Sequence, residues 1–129
     1  MKNVLFLFLC LVGVSLFAQP SNNNPKELVP TLTFATTVED YGIIKKGSEP
    51  NRTFSFKNTG NAPLLITEAK ASCGCTVPTF PQGAILPGES SEIIVRYDTQ
   101  RVGLISKSVT ILSNAGEPVV LKITGEVKD

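Results

Sequence analysis

The sequence contains no histidine and no tryptophan, and Met1 is its single methionine. Without histidine, neither a Ser-His-Asp nor a Cys-His catalytic site fits within the chain. Zinc sites with imidazole ligands and the usual proton shuttle at neutral pH are excluded with it. An excess of either charge is lacking too: Lys and Arg number 12 against 11 Asp and Glu, a net of +1. That balance leaves no electrostatic footprint for nucleic acid. The longest apolar run, residues 4–17, has about 14 residues and falls short of the ~20 that a spanning helix needs.

What is present is ordinary for a globular chain. The 129 residues are 42% hydrophobic and 18% charged, enough for one domain with a tail. Met1-Lys2-Asn3 is a short basic start, the apolar run follows, and Ala18-Gln19-Pro20 leads into polar sequence. This order reads as a secretory signal peptide over residues 1–18, cleaved after Ala18; an uncleaved anchor is the alternative. A lipoprotein site needs a small residue before its cysteine, whereas Cys10 follows Leu9 in mid-run. Cleavage removes Lys2 and Cys10, leaving equal numbers of basic and acidic side chains and two thiols in an oxidising compartment. The expected location is periplasmic or extracellular, with no membrane span after cleavage. Residues 19–30, rich in Pro and Asn, read as a flexible tether, and residues 31–129 as the domain.

From Thr31 onward the apolar residues repeat with period two. Thr31–Thr37 places Leu32 and Phe34 on one face, and Arg52–Lys57 does the same with Phe54 and Phe56. Leu64–Lys70 offers Leu64 and Ile66; Ser91–Tyr97 offers Ile93, Val95 and Tyr97. Leu104–Leu112 offers Val109 and Ile111, and Val119–Val127 offers Val119, Leu121, Ile123 and Val127. Such alternation marks half-buried strands, and no stretch has a helical period. Turn chemistry separates the runs at Lys46-Gly47-Ser48, Pro81-Gln82-Gly83, Pro87-Gly88 and Asn114-Ala115-Gly116. Asn58-Thr59-Gly60 reads as a hairpin turn, and Asp40-Tyr41-Gly42-Ile43-Ile44 as a strand-end aromatic beside a tight turn. Asn51-Arg52-Thr53 fits a glycosylation sequon, which matters only in a eukaryotic host. The pattern predicts an all-β, antiparallel, immunoglobulin-like sandwich of about seven strands.

The chemistry-bearing spot is Ala71-Ser72-Cys73-Gly74-Cys75-Thr76-Val77-Pro78. Residues two apart in a regular strand share a face at about 6.4–6.8 Å between Cα atoms, the upper limit for a disulfide. Gly74 offers a bend that would bring the sulfurs together. The pair therefore admits an open dithiol or a bridged turn. Cys73 and Cys75 read as a small structural disulfide or partly buried thiols, as a redox-active pair, or as a soft-metal site for Cu(I). The first reading is favoured, and no cofactor is expected.

The motifs D-Y-G-x-I-x-x-G (Asp40–Gly47), F-x-F-K-N-T-G-x-A-P-L-x-I (Phe54–Ile66), A-S-C-G-C-T-V-P (Ala71–Pro78), L-P-G-E (Leu86–Glu89) and S-K-S-V-T-I-x-S-N (Ser106–Asn114) occur in this order. Together they resemble the bacterial domain-of-unknown-function 1573 (DUF1573) family, over about Phe34 to Val127. The resemblance implies a secreted immunoglobulin-like fold and no assigned activity. The expected function is a non-catalytic interaction module, binding a protein partner by a strand edge or surface. The alternative is a thiol-redox or Cu(I)-handling protein built on Cys73 and Cys75.

Overall fold

A computed structural model of the chain describes Gly13, Ser15 and residues 27–129. Apart from Gly13 and Ser15, the expected signal peptide, Cys10 included, lies outside the described residues, as do residues 19–26 of the expected tether. Among the described residues no helix is long and apolar enough to cross a membrane.

Eight strands form the domain: β1 (Leu32–Phe34), β2 (Val38–Lys45), β3 (Asn51–Asn58), β4 (Ile66–Ala71), β5 (Thr76–Thr79), β6 (Ser90–Tyr97), β7 (Gly103–Ser113) and β8 (Val119–Lys128). They make two four-stranded sheets, ordered β1-β3-β6-β5 and β2-β8-β7-β4. The inward residues of both sheets bury one core, with Phe54, Phe56, Leu64, Ile66, Ile93, Val95, Val109, Ile111, Leu121, Ile123 and Val127 all buried. Period-two alternation thus places its apolar set between the sheets, as it must when each sheet has one wet face.

Three features differ from the sequence expectation. The sandwich is not wholly antiparallel, because β2 pairs with β8 in parallel. Two strands, β2 and β5, carry no clean alternation. In β2 the register shifts between Asp40 and Ile43, so where a strand-end aromatic beside a tight turn is expected, a bulged edge strand runs on to Lys45. In β5, Pro78 interrupts the pattern, which an edge strand tolerates because one side of its backbone needs no ladder bond. The bulge also dictates its neighbour. Gly125 has φ +141°, and a Cβ there would sit 2.8 Å from the Gly42 carbonyl oxygen.

The third difference is at Asn58-Thr59-Gly60. It is no hairpin, because β3 and β4 belong to different sheets. The chain crosses over there, and the fully buried Asn58 organises the crossing. Its side-chain amide donates to the carbonyls of Ala62 (2.8 Å) and Ile85 (2.9 Å). Its Oδ1 accepts from the backbone N–H of Gly60 (3.0 Å) and Thr31 (3.3 Å). Asn61 exchanges bonds with Val29, holding the residues just before β1 against the same crossing.

Candidate functional site

At the opposite end of the sandwich three connections meet: the β2–β3 turn, the β4–β5 turn with Cys73 and Cys75, and the β6–β7 connection. They are sewn together by the backbone. The Gly47 N–H donates to the Thr99 carbonyl (3.0 Å), the Asp98 N–H to the Cys75 carbonyl (2.9 Å), and the Tyr97 N–H to the Pro50 carbonyl (3.0 Å). The hydroxyl of buried Thr99 donates to the Ser48 carbonyl at 2.7 Å.

An aromatic pair supports this end from below. Tyr41 and Tyr97 meet edge to face, 6.1 Å between ring centroids. The Arg52 guanidinium lies 4.0 Å over the Tyr41 ring, a cation–π contact. The Tyr41 hydroxyl donates to the Pro50 carbonyl at 2.6 Å. Burial pushes the Tyr41 phenol above its ordinary value, against the pull of Arg52 in the other direction.

The β4–β5 turn is where the chain changes sheets. Ser72 makes the last contact with β7, its N–H donating to the Ser108 carbonyl at 2.9 Å. The chain then turns through Cys73-Gly74-Cys75 and enters β5 at Thr76. The cysteines stand in a turn rather than a regular strand, so their Cα atoms approach to 5.3 Å and the sulfurs lie within bonding distance as a disulfide. Gly74 is not what allows this. It lacks a left-handed φ, and a Cβ placed on it would meet nothing within 4 Å.

Two contacts around the sulfurs were invisible in the sequence. The Cys75 backbone N–H donates to Cys73 Sγ at 3.2 Å. The hydroxyl of Thr76, which is only 2% exposed, lies 3.8 Å from Cys73 Sγ and 3.7 Å from Cys75 Sγ. A Thr directly after a C-x-C pair is a readable signal only once the pair is known to sit in a turn, with the next strand starting inward. Beside the turn opens a cavity of about 320 Å³, lined among others by Ser48, Cys75, Val77, Arg96, Asp98 and Gln100. Cys75 and Gly74 belong to its wall; Cys73 does not. Among the described residues no group of three or more His, Cys, Asp or Glu is placed to hold a metal ion.

The family model for proteins of unknown function DUF1573 matches residues 32–127, all eight strands nearly end to end. The chain belongs to the DUF1573 family. No curated protein matches it. Among solved structures, this DUF1573 domain is similar to a protein of unknown function from Porphyromonas gingivalis W83, with TM-score 0.62 and 19% identity over 77% of this chain and 46% of that one. It is similar to the secreted serine protease VesC from Vibrio cholerae (TM-score 0.56, 16% identity, 80% of this chain and 24% of that one). A third similar structure is the CsuC–CsuE chaperone–tip adhesion subunit pre-assembly complex from archaic chaperone-usher Csu pili of Acinetobacter baumannii (TM-score 0.53, 12% identity, 76% and 57%). The DUF1573 chain thus spans about half the length of the first of these, or less. At such identities the likeness is one of fold, shared by proteins with unlike roles.

Proposed function

We propose that this DUF1573 chain is an exported, non-catalytic immunoglobulin-like module that engages a protein partner through the sandwich end carrying the Cys73–Cys75 turn. The observation that carries the reading is the cavity against that turn, which places Cys75 in the wall of a concave surface built from three connections. Loops held by a rigid scaffold are where such folds concentrate binding. The opposed charges of Arg96 and Asp98 on the cavity rim suit a polar peptide segment. The edges are less inviting for strand addition: β1 has three residues, β5 has four and includes Pro78, β2 is bulged, and β4 has six with a register shift between Ile66 and Glu68. The similar Acinetobacter structure is itself a complex of a chaperone with a tip adhesion subunit, which supports a protein as the partner. The absence of histidine agrees with a non-catalytic role.

The test is a photo-crosslinking side chain placed singly at Val77, at Leu86 and at Val120, all half exposed. Val77 lines the cavity, Leu86 lies at the other end, and Val120 is on the outer face of β8. The reading expects one dominant adduct from Val77 and little from the other two. Dominant adducts from Leu86 or Val120 would contradict it. A second reading, thiol–disulfide exchange at the same surface, is favoured by the N–H and hydroxyl aimed at the sulfurs.

A further inference from the structure

We infer that the two sulfurs of the turn have different jobs: Cys75 is the sulfur attacked by an incoming thiolate, and Cys73 is the sulfur that leaves. The inference rests on the thiol-exchange reading of this site and assigns its direction. One hydrogen bond distinguishes the sulfurs, and the cavity lies on the side of the residue it selects. Cys75, packed on one side against the core, belongs to the cavity wall and Cys73 does not, so a thiol seated there lies beside Cys75. Cys73 Sγ accepts the Cys75 N–H at 3.2 Å, so negative charge appearing on Cys73 is met by a donor already in place. A hydrogen bond to an ionised acceptor is worth more than one to a neutral sulfur, and a stabilised leaving thiolate departs faster.

The Thr76 hydroxyl is the complement. It lies almost equally far from the two sulfurs, 3.8 and 3.7 Å. It therefore assists loss of a thiolate without choosing between them.

The occupant is a cysteine thiolate carried on a peptide, either a small one such as glutathione or an exposed cysteine of a partner protein. In the step, the incoming thiolate donates its electron pair to Cys75 Sγ. The Cys73–Cys75 bond breaks as the new bond to Cys75 forms, and Cys73 leaves as the thiolate. The incoming thiol is oxidised to the mixed-disulfide level and Cys73 is reduced. Re-attack by Cys73 on Cys75 returns the starting pair and releases the captured thiol, so the turn captures a partner reversibly.

The test uses the full-length gene product purified from a periplasmic extract, unreduced and mixed with reduced glutathione. The mixture is quenched early in acid, alkylated with N-ethylmaleimide and mapped by mass spectrometry. The inference expects glutathione on Cys75 and the maleimide on Cys73, in roughly tenfold excess over the reverse, the ratio one hydrogen bond to a charged group supplies. An equal mixture or the reverse assignment overturns it. Thr76→Val should slow the reaction and leave that ratio unchanged; a changed ratio overturns the role given to the Cys75 N–H. No adduct on either sulfur overturns exchange at this site, whereas the contact surface stands or falls separately on crosslinking from Val77. Repeating the reaction with a reduced, unfolded cysteine-containing protein separates the two sources of thiol: faster capture of the protein identifies a protein partner, and faster capture of glutathione identifies a small thiol.

Discussion

Replacing Asn58 tests whether one buried amide holds the sheet crossing together. The side chain is fully buried and makes four hydrogen bonds, to Ala62, Ile85, Gly60 and Thr31. Each intramolecular hydrogen bond contributes about 1 kcal/mol net, and a buried backbone group left unpaired costs more. Asn58→Ala should therefore lose about 4 kcal/mol, a large share of the 5–15 kcal/mol typical of a domain. For a domain of this size that is a fall of about 15–30 °C in melting temperature. Asn58→Asp is the sharper variant, because it keeps the shape and both accepted bonds. It loses donation to Ala62 and Ile85 and presses a carboxylate against their carbonyls. Its folded-state pKa must then lie above the unfolded value of about 4. The stability of that variant should be greatest below pH ~4 and fall as pH rises through the raised folded value. Urea unfolding from pH 3 to 7 gives both numbers. A loss below about 1 kcal/mol for Asn58→Ala, or a flat pH profile for Asn58→Asp, would refute this account of the crossing.

Other consequences are equally open to measurement. Phe54 is wholly buried, so Phe54→Ala should cost about 3–5 kcal/mol in denaturant unfolding. Gly60→Ala drives a Cβ into the Val29 carbonyl oxygen and to 2.6 Å from the Thr31 nitrogen. It should lower the melting temperature and expose residues 27–31 to proteolysis, whereas Gly74→Ala, with open space around it, should change stability by less than about 0.5 kcal/mol. Burial raises the Tyr41 phenol, so its contribution is intact below the unfolded value near 10. That contribution is lost as pH rises through the folded value, and Tyr41→Phe should flatten the alkaline limb of the stability profile. Replacing Cys73 and Cys75 together by Ser should leave the fold intact and cost about 1–2 kcal/mol, since the loop closed is so short.

Much of this architecture is legible in period-two patterning because burial on one face of each sheet leaves no other arrangement for Phe54, Phe56, Val95, Val109, Leu121 and Ile123. The illegible parts are those where local pattern and tertiary placement part company. The bulge at Gly42 breaks the alternation of β2, and Pro78 disguises β5. Parallel pairing of β2 with β8 is a long-range fact that no local spacing carries. Asn58 looks like a turn residue because Asn favours turns; its burial depends on segments at Thr31 and Ile85, 27 residues away on either side. At the candidate site, the cysteines stand out by their rarity. Val77, Asp98 and Arg96 do not, since only the meeting of three connections gives them a common cavity, and Thr76 counts only through its contacts with the two sulfurs.

The central claim about the Cys73–Cys75 pair is that it exchanges in the native state and is not only a structural staple. The rate at which glutathione reduces the pair, followed in increasing urea, tests it most directly. A pair that exchanges in the native state reacts at a rate that stays flat through low urea, with far-ultraviolet circular dichroism unchanged as the disulfide opens. A rate that rises from the first additions of urea in step with global unfolding would show that the sulfurs are reached only by unfolding, and would contradict the account.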